Sequence, residues 1–207
     1  RVQPVFANTW QLQVTGAFTA GPVINAWVDA LNPGPNAANV EIESTEGRIR
    51  VAAKATTLPN GRWRYDYAVM NFDYSRPRLE QVAVSTTADA EVFRVTRNFG
   101  FAAFQIASSD PLASQLGFSD GDLNAGNNWP ATASKQRVRW QGAEGSTLDW
   151  GTLYSFSLQS RRAPGPALAV LEILDVGKTP SLSAMLIGPT GAISASSQSR
   201  AELHTGP

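Results

Sequence analysis

Cysteine is absent from the 207-residue chain, so thiol nucleophiles, disulfide staples and thiolate metal sites are excluded and the fold must cohere by packing. Histidine is nearly absent as well. The single one, His204, stands close to the C-terminus among small and polar residues, where a Ser/His/Asp triad has no firm mount for its base. Charge is sparse: 16% of residues are charged, with 17 Lys plus Arg balancing 17 Asp plus Glu. That balance leaves no long-range field for phosphate backbones or anionic lipids, so nucleic acid is not an expected partner. No apolar run reaches the roughly 18 to 20 residues that cross a bilayer as a helix, and the densest, Ala167 to Leu174, is interrupted by Glu172, so membrane insertion is not expected. The chain starts at Arg1 without methionine, which reads as trimming or as processing after export. No HExxH and no Gly-rich phosphate loop after a strand occurs, and no two acids stand where one pKa would rise above the other's. A hydrolase with dispersed carboxylates is therefore the minority reading, and no catalytic residue is nominated.

What is present is strand pattern. Over Val40 to Phe72, a turn at Ser44 to Gly47 pairs Glu43 with Arg48, Ile42 with Ile49, Glu41 with Arg50 and Val40 with Val51, so one register satisfies both faces. Pro59-Asn60-Gly61 then suits a three-residue hairpin loop that sets Ala53 against Tyr67, Ala55 against Tyr65, Thr57 against Trp63 and Lys54 against Asp66. Further strands are predicted at Thr9 to Thr15, Leu79 to Thr86, Glu91 to Arg97, Lys135 to Gln141, Trp150 to Ser160, Pro166 to Leu174 and Ser181 to Ile187. The Trp150 strand reads as half buried on its even positions. The Pro166 strand reads as apolar on both faces, with Leu168 and Val170 on one and Leu171 and Ile173 on the other, as in a strand covered twice. One helix is predicted over Pro22 to Leu31, where Ile24, Trp27, Val28 and Leu31 follow helical spacing and Asn32-Pro33 stops the run. Loops are predicted at Asn32 to Asn39, Ser108 to Ala133 and Arg161 to Pro164. The fold class expected is all-β: an antiparallel β-sandwich, jelly-roll or immunoglobulin-like, with one short helix near the N-terminus. No linker splits the chain, so residues 1–207 read as a single domain with a flexible Gly/Ser-rich tail from about residue 189.

Three constellations carry candidate chemistry. In the loop Phe118 to Trp129, Asp120, Asp122 and Asn124 alternate like the first ligands of a calcium loop, which makes calcium the candidate metal. The glycine comes one place late, at Gly126, and Ala131 stands where the bidentate glutamate belongs, so a polar loop held by Asx-turns competes with that reading. Arg48, Arg50, Lys54, Arg62 and Arg64 would suit an anion or acidic glycan, against the plainer alternative of a solvated ladder facing Glu41, Glu43 and Asp66. Of six tryptophans, five have a core explanation; Trp129, beside Asn127 and Asn128 and near Asp122, is the indole left to stack on a sugar ring.

The stretches Asn60-Gly-Arg-Trp-Arg-Tyr-Asp-Tyr-Ala-Val-Met-Asn-Phe-Asp73, Gly117-Phe-Ser-Asp120, Asn127-Asn-Trp129 and Leu148-Asp-Trp-Gly-Thr-Leu-Tyr-Ser-Phe156 resemble a family of uncharacterised exported bacterial β-sandwich proteins, in which WRYEYA-type and LxWGTLYNF-type strands recur. The resemblance spans about Arg48 to Leu186, with Arg94 to Asp110 departing from the shorter link expected there. It implies a secreted or cell-surface location and one sandwich domain, and brings no activity. The leading functional expectation is a non-enzymatic structural protein, a sandwich subunit that binds copies of itself in a surface layer, fibre or sheath. Phe99, Phe101 and Phe104, or the segment Arg1 to Thr19, would donate contacts or an edge strand, with core burial the equal alternative for the three rings. The competing expectation is a carbohydrate-binding module on the 118–129 loop. It predicts that Trp129→Ala abolishes retention on a polysaccharide while thermal stability stays nearly unchanged.

Overall fold

A computed structural model describes the backbone of residues 2–7, 9–14, 20–74, 76–85, 90–143, 146–173 and 181–193, and the side chains of 20–74, 100–143, 146–173 and 181–193. In chain order the elements are β1 (Val2–Ala7), β2 (Thr9–Val14), the helix α1 (Val23–Trp27), β3 (Ala37–Ser44), β4 (Gly47–Thr57), β5 (Trp63–Asn71), β6 (Arg76–Ser85) and β7 (Ala90–Phe99). There follow β8 (Phe101–Ala107), β9 (Ser114–Ser119), β10 (Ala131–Ala133), β11 (Arg137–Gln141), β12 (Leu153–Ser160), β13 (Gly165–Ile173) and β14 (Ser181–Gly188). Two antiparallel five-stranded sheets, ordered β3-β4-β5-β12-β9 and β10-β11-β8-β13-β14, make a β-sandwich. The hairpins β1-β2 and β6-β7 form two further sheets of two strands each and, among the described residues, share no ladder with either large one.

The register of the meander is the one the charges and turns specify. Val40 faces Val51, Ile42 faces Ile49, Ala53 faces Tyr67 and Ala55 faces Tyr65. Gly61 sits at φ +76, the left-handed conformation that the Pro59-Asn60-Gly61 loop requires. Because side chains alternate, Ile49, Val51 and Ala53 of β4 and Tyr65, Tyr67 and Val69 of β5 all point between the sheets and are buried. They meet Phe104 and Ile106 of β8, Val138 and Trp140 of β11 and Leu171 of β13. Phe104 anchors an aromatic cluster, its ring centroid 4.7 Å from Phe156 and 5.8 Å from Trp140. Phe101 and Phe104 are thus core residues at 0% exposure and offer no ring to a neighbouring copy, while the Phe99 side chain lies outside the described residues.

Several expectations are corrected. The helix stops at Trp27, because Val28 is extended at φ -130, ψ 118, and Asp29 then folds the chain into a turn by accepting from the Leu31 and Asn32 N–H groups at 2.9 and 3.3 Å. Leu31 is consequently 96% exposed, and Ile24 and Val28 pack on the outer face of the first sheet at Ala52 and Ala68. Strand β12 starts at Leu153, leaving Trp150 in the preceding turn at 68% exposure. Strand β13 is central in hydrogen bonding but buried on one face only, since Ala167, Ala169, Leu171 and Ile173 point inward while Leu168 is 45% exposed. The long segment expected as loop from Ser108 to Ala133 contains β9 and β10. Of the expected tail, residues 189–193 are tied down, with Gly191 N–H donating to Ala163 and Ala163 N–H to Ala192, and 194–207 lie outside the described residues.

Candidate functional site

The loop after β9 is built on its own backbone. Asp120 Oδ1 accepts from Asp122 N–H at 3.2 Å, Asp122 Oδ1 from Asn124 N–H at 2.7 Å and Asn124 Oδ1 from Gly126 N–H at 3.0 Å, so three successive Asx turns wind the segment. The remaining oxygen of Asp122 accepts from Asn127 Nδ2 at 2.8 Å. The hydrogen bonds from Asn127 and Asn124 hold the Asp122 carboxyl below the usual carboxylate range. Among the described residues, no three His, Cys, Asp or Glu side chains gather as a metal-ion cluster.

Trp129 leaves this loop for the interior. Its indole stacks on Phe118 at 5.6 Å with 6° between the planes, meets Tyr154 edge-on at 5.5 Å, and donates its N–H to Ser146 Oγ at 2.9 Å. Ser146 in turn donates to the Asn127 carbonyl at 2.8 Å, which ties the loop to the segment before β12. At 2% exposure Trp129 has no face for a sugar, so the four residues grouped as a glycan site, Asp122, Asn127, Asn128 and Trp129, are not one binding surface. Asp122 and Asn127 bond to each other, Asn128 is exposed, and the ring is core. The physical reason is the aromatic cluster: Phe118, Tyr154 and Phe156 cover more of the indole than a solvent-facing position would, and Ser146 satisfies its one donor. Tyr154 completes the cluster by donating to the Thr147 carbonyl at 2.9 Å, and its phenol is raised above its ordinary pKa by burial and by the charges of Asp120, Asp149 and Asp122.

The cations of the meander are engaged individually. Arg48 pairs with Asp73 at 3.2 Å instead of with Glu43, Arg50 pairs with Glu41, and Arg62 donates to Ser114 Oγ at 2.8 Å. Lys54 does not reach across to Asp66; its ammonium lies 5.3 Å from the Trp27 ring centroid, and Asp66 is held by Arg64. These contacts match a solvated ladder better than an anion site, with each exposed pair contributing at most about 1 kcal/mol.

What the sequence did not disclose is a groove of about 660 Å³ on the outer face of the first sheet. Its wall is α1, through Val23, Ile24 and Trp27, and its floor is the outward row of β5, β12 and β9, including Asp66, Ser155, Ser157 and Ser119. The floor is low because the side chains are short. Gly117 has none, and a Cβ there would run into the Oγ of Ser157, its partner across the β9-β12 ladder. On the polar side, Arg64 Nε donates to both Asp66 oxygens, at 2.9 and 3.0 Å. Asp66 is the only carboxylate in the lining, so the groove holds no two acids at catalytic separation. Trp27 was legible only as a core face of a helix; a row of Gly117, Ser119, Ser155 and Ser157 at alternate positions is the signal that marks a shallow floor. No protein-family model, curated protein or solved structure matches this chain.

Proposed function

We propose that this chain is a non-enzymatic structural subunit that associates with copies of itself outside the cell, in a layer, fibre or sheath. One topological observation carries the reading: among the described residues, β1 and β2 pair only with each other, and so do the ten-residue strands β6 and β7. A lone two-stranded hairpin is marginal in water, so it gains stability wherever a further strand or surface joins it. Each hairpin has two outer edges, and such an edge is a template for another chain. In β6-β7 the register sets Val82 opposite Phe93 and Ala83 opposite Val92, apolar pairs in the middle of the arm. Zero net charge removes the repulsion that keeps like subunits apart, which favours a second copy as the occupant. The resemblance to exported bacterial sandwich proteins supports the extracellular setting.

The test is sedimentation velocity and negative-stain microscopy over a wide concentration range, with calcium or with EDTA. The full chain is expected to form species that grow with concentration. A variant in which residues 76–99 are excised and Ser75 is joined to Gly100 through a Gly-Ser bridge is expected to stay monomeric. A full chain that is monomeric throughout defeats the reading, and an excised chain that still assembles defeats the assignment of the contact to the β6-β7 arm.

A further inference from the structure

We infer that the groove between α1 and the outer face of β5, β12 and β9 is a binding site for a neutral carbohydrate, independent of self-association. A saccharide ring has an apolar face of C–H groups and a rim of hydroxyls that both donate and accept, and the groove offers the complement to each. The apolar lining includes Trp27 and Leu153; the polar side is Asp66, which accepts, Arg64, which donates, and Ser155 and Ser157, which do either.

Charge selects among ligand classes. Arg64 and Asp66, the charged side chains of the lining, neutralise each other through a forked contact at 2.9 and 3.0 Å, and Lys54, whose ammonium is 5.3 Å from the Trp27 ring centroid, is not part of the lining, so the floor itself has no net charge to favour a carboxylate, a phosphate or an amine. Both side chains remain partly exposed, at 51% and 32%, and so keep hydrogen-bonding capacity for an incoming hydroxyl. A lipid chain fits poorly, because it would cover this ion pair and the serines without replacing their bonds to water. Size agrees: about 660 Å³ falls within the range of roughly 300–1,000 Å³ typical of small-ligand clefts. The sheet floor is rigid and ladder-bonded, with β12 paired to β5 on one side and β9 on the other, so the polar groups are held in place before a ligand arrives.

The experiment is isothermal calorimetry on the full chain with cellohexaose, xylohexaose, mannohexaose and chitohexaose, and with hexagalacturonate as the charged comparison. At least one neutral hexasaccharide is expected to bind with Kd below about 1 mM. Trp27→Ala, which removes the stacking face, is expected to weaken that binding at least tenfold. Ser155→Trp, at an exposed position, fills the groove without removing a core contact and is expected to do the same if Trp27→Ala does not fold. Trp150→Ala, at the exposed indole outside the groove, should leave binding intact. Any of these results overturns the inference: no neutral hexasaccharide binds, hexagalacturonate alone binds, binding survives Ser155→Trp or a folded Trp27→Ala, or binding is lost in Trp150→Ala.

Discussion

Asp110 is the only acid among the described residues that the fold buries, at 1% exposure, and it fastens the segment after β8 to the end of β12. Its carboxylate accepts from Ser160 Oγ at 2.8 Å, Arg161 N–H at 2.9 Å and Leu112 N–H at 3.0 Å. Burial by itself would raise its pKa, but those bonds and the Arg161 charge outweigh burial and hold it below the ordinary carboxylate value. A depressed folded pKa means that the stabilisation is complete above the unfolded pKa of about 3.9 and is lost as pH falls through the lower folded value. Asp110→Asn is therefore expected to cost about 1–3 kcal/mol at pH 7 and to lose less stability than the parent between pH 5 and acid, as read from urea midpoints. The difference narrows without vanishing in slope, because Asp73 and Asp122 are also depressed. Trp129 gives a second residue-scale test. With its ring packed on Phe118, Tyr154 and Phe156, Trp129→Ala is expected to cost about 3–5 kcal/mol in urea denaturation, which reverses the expectation of unchanged stability.

Among the elements, those with local instructions were legible in the sequence. The β3-β4-β5 register followed from two turns and a set of facing charges and ring-to-alanine pairs, because a slip of one residue would have turned every core side chain outward. Strand β8 was not legible. Phe101, Ala102, Ala103 and Phe104 are all buried, since an irregularity opposite Glu172 and Ile173 breaks the alternation that identifies a strand. Strand β9 hid for the same reason, with a register shift against Ser157 and Gln159 and Gln115 at φ +51 within it. Close approach between elements yields another test. Gly142, just after β11, donates its N–H to Ala102 at 2.9 Å, and a Cβ there would collide with the Ser146 carbonyl and stand 2.6 Å from Trp129 Nε1. Gly142→Ala is expected to destabilise by about 1–3 kcal/mol, measured by thermal or urea unfolding, because neither the carbonyl nor the packed indole has room to yield.

Among the described residues, the sandwich core is assembled from the two large sheets, and the β6-β7 arm contributes no ladder to either. The chain with residues 76–99 excised is accordingly expected to melt cooperatively and close to the parent in circular dichroism; loss of folding would make the arm part of the core and not an assembly device. Sequence alone determined the all-β class, the meander register and the exclusion of thiol chemistry, since these rest on alternation, turn chemistry and composition, which are local or global sums. It did not determine which tryptophan is buried. Trp129 sits in a polar loop yet lies at 2% exposure, and Trp150 sits in a strand-like run yet lies at 68%. Only the tertiary structure decided that, and only it brought α1, near residue 25, over β9 and β12, about a hundred residues further along, to enclose a groove. A ring's burial and a cavity's floor depend on which distant strands pack beside them, and no periodicity along the chain encodes those neighbours.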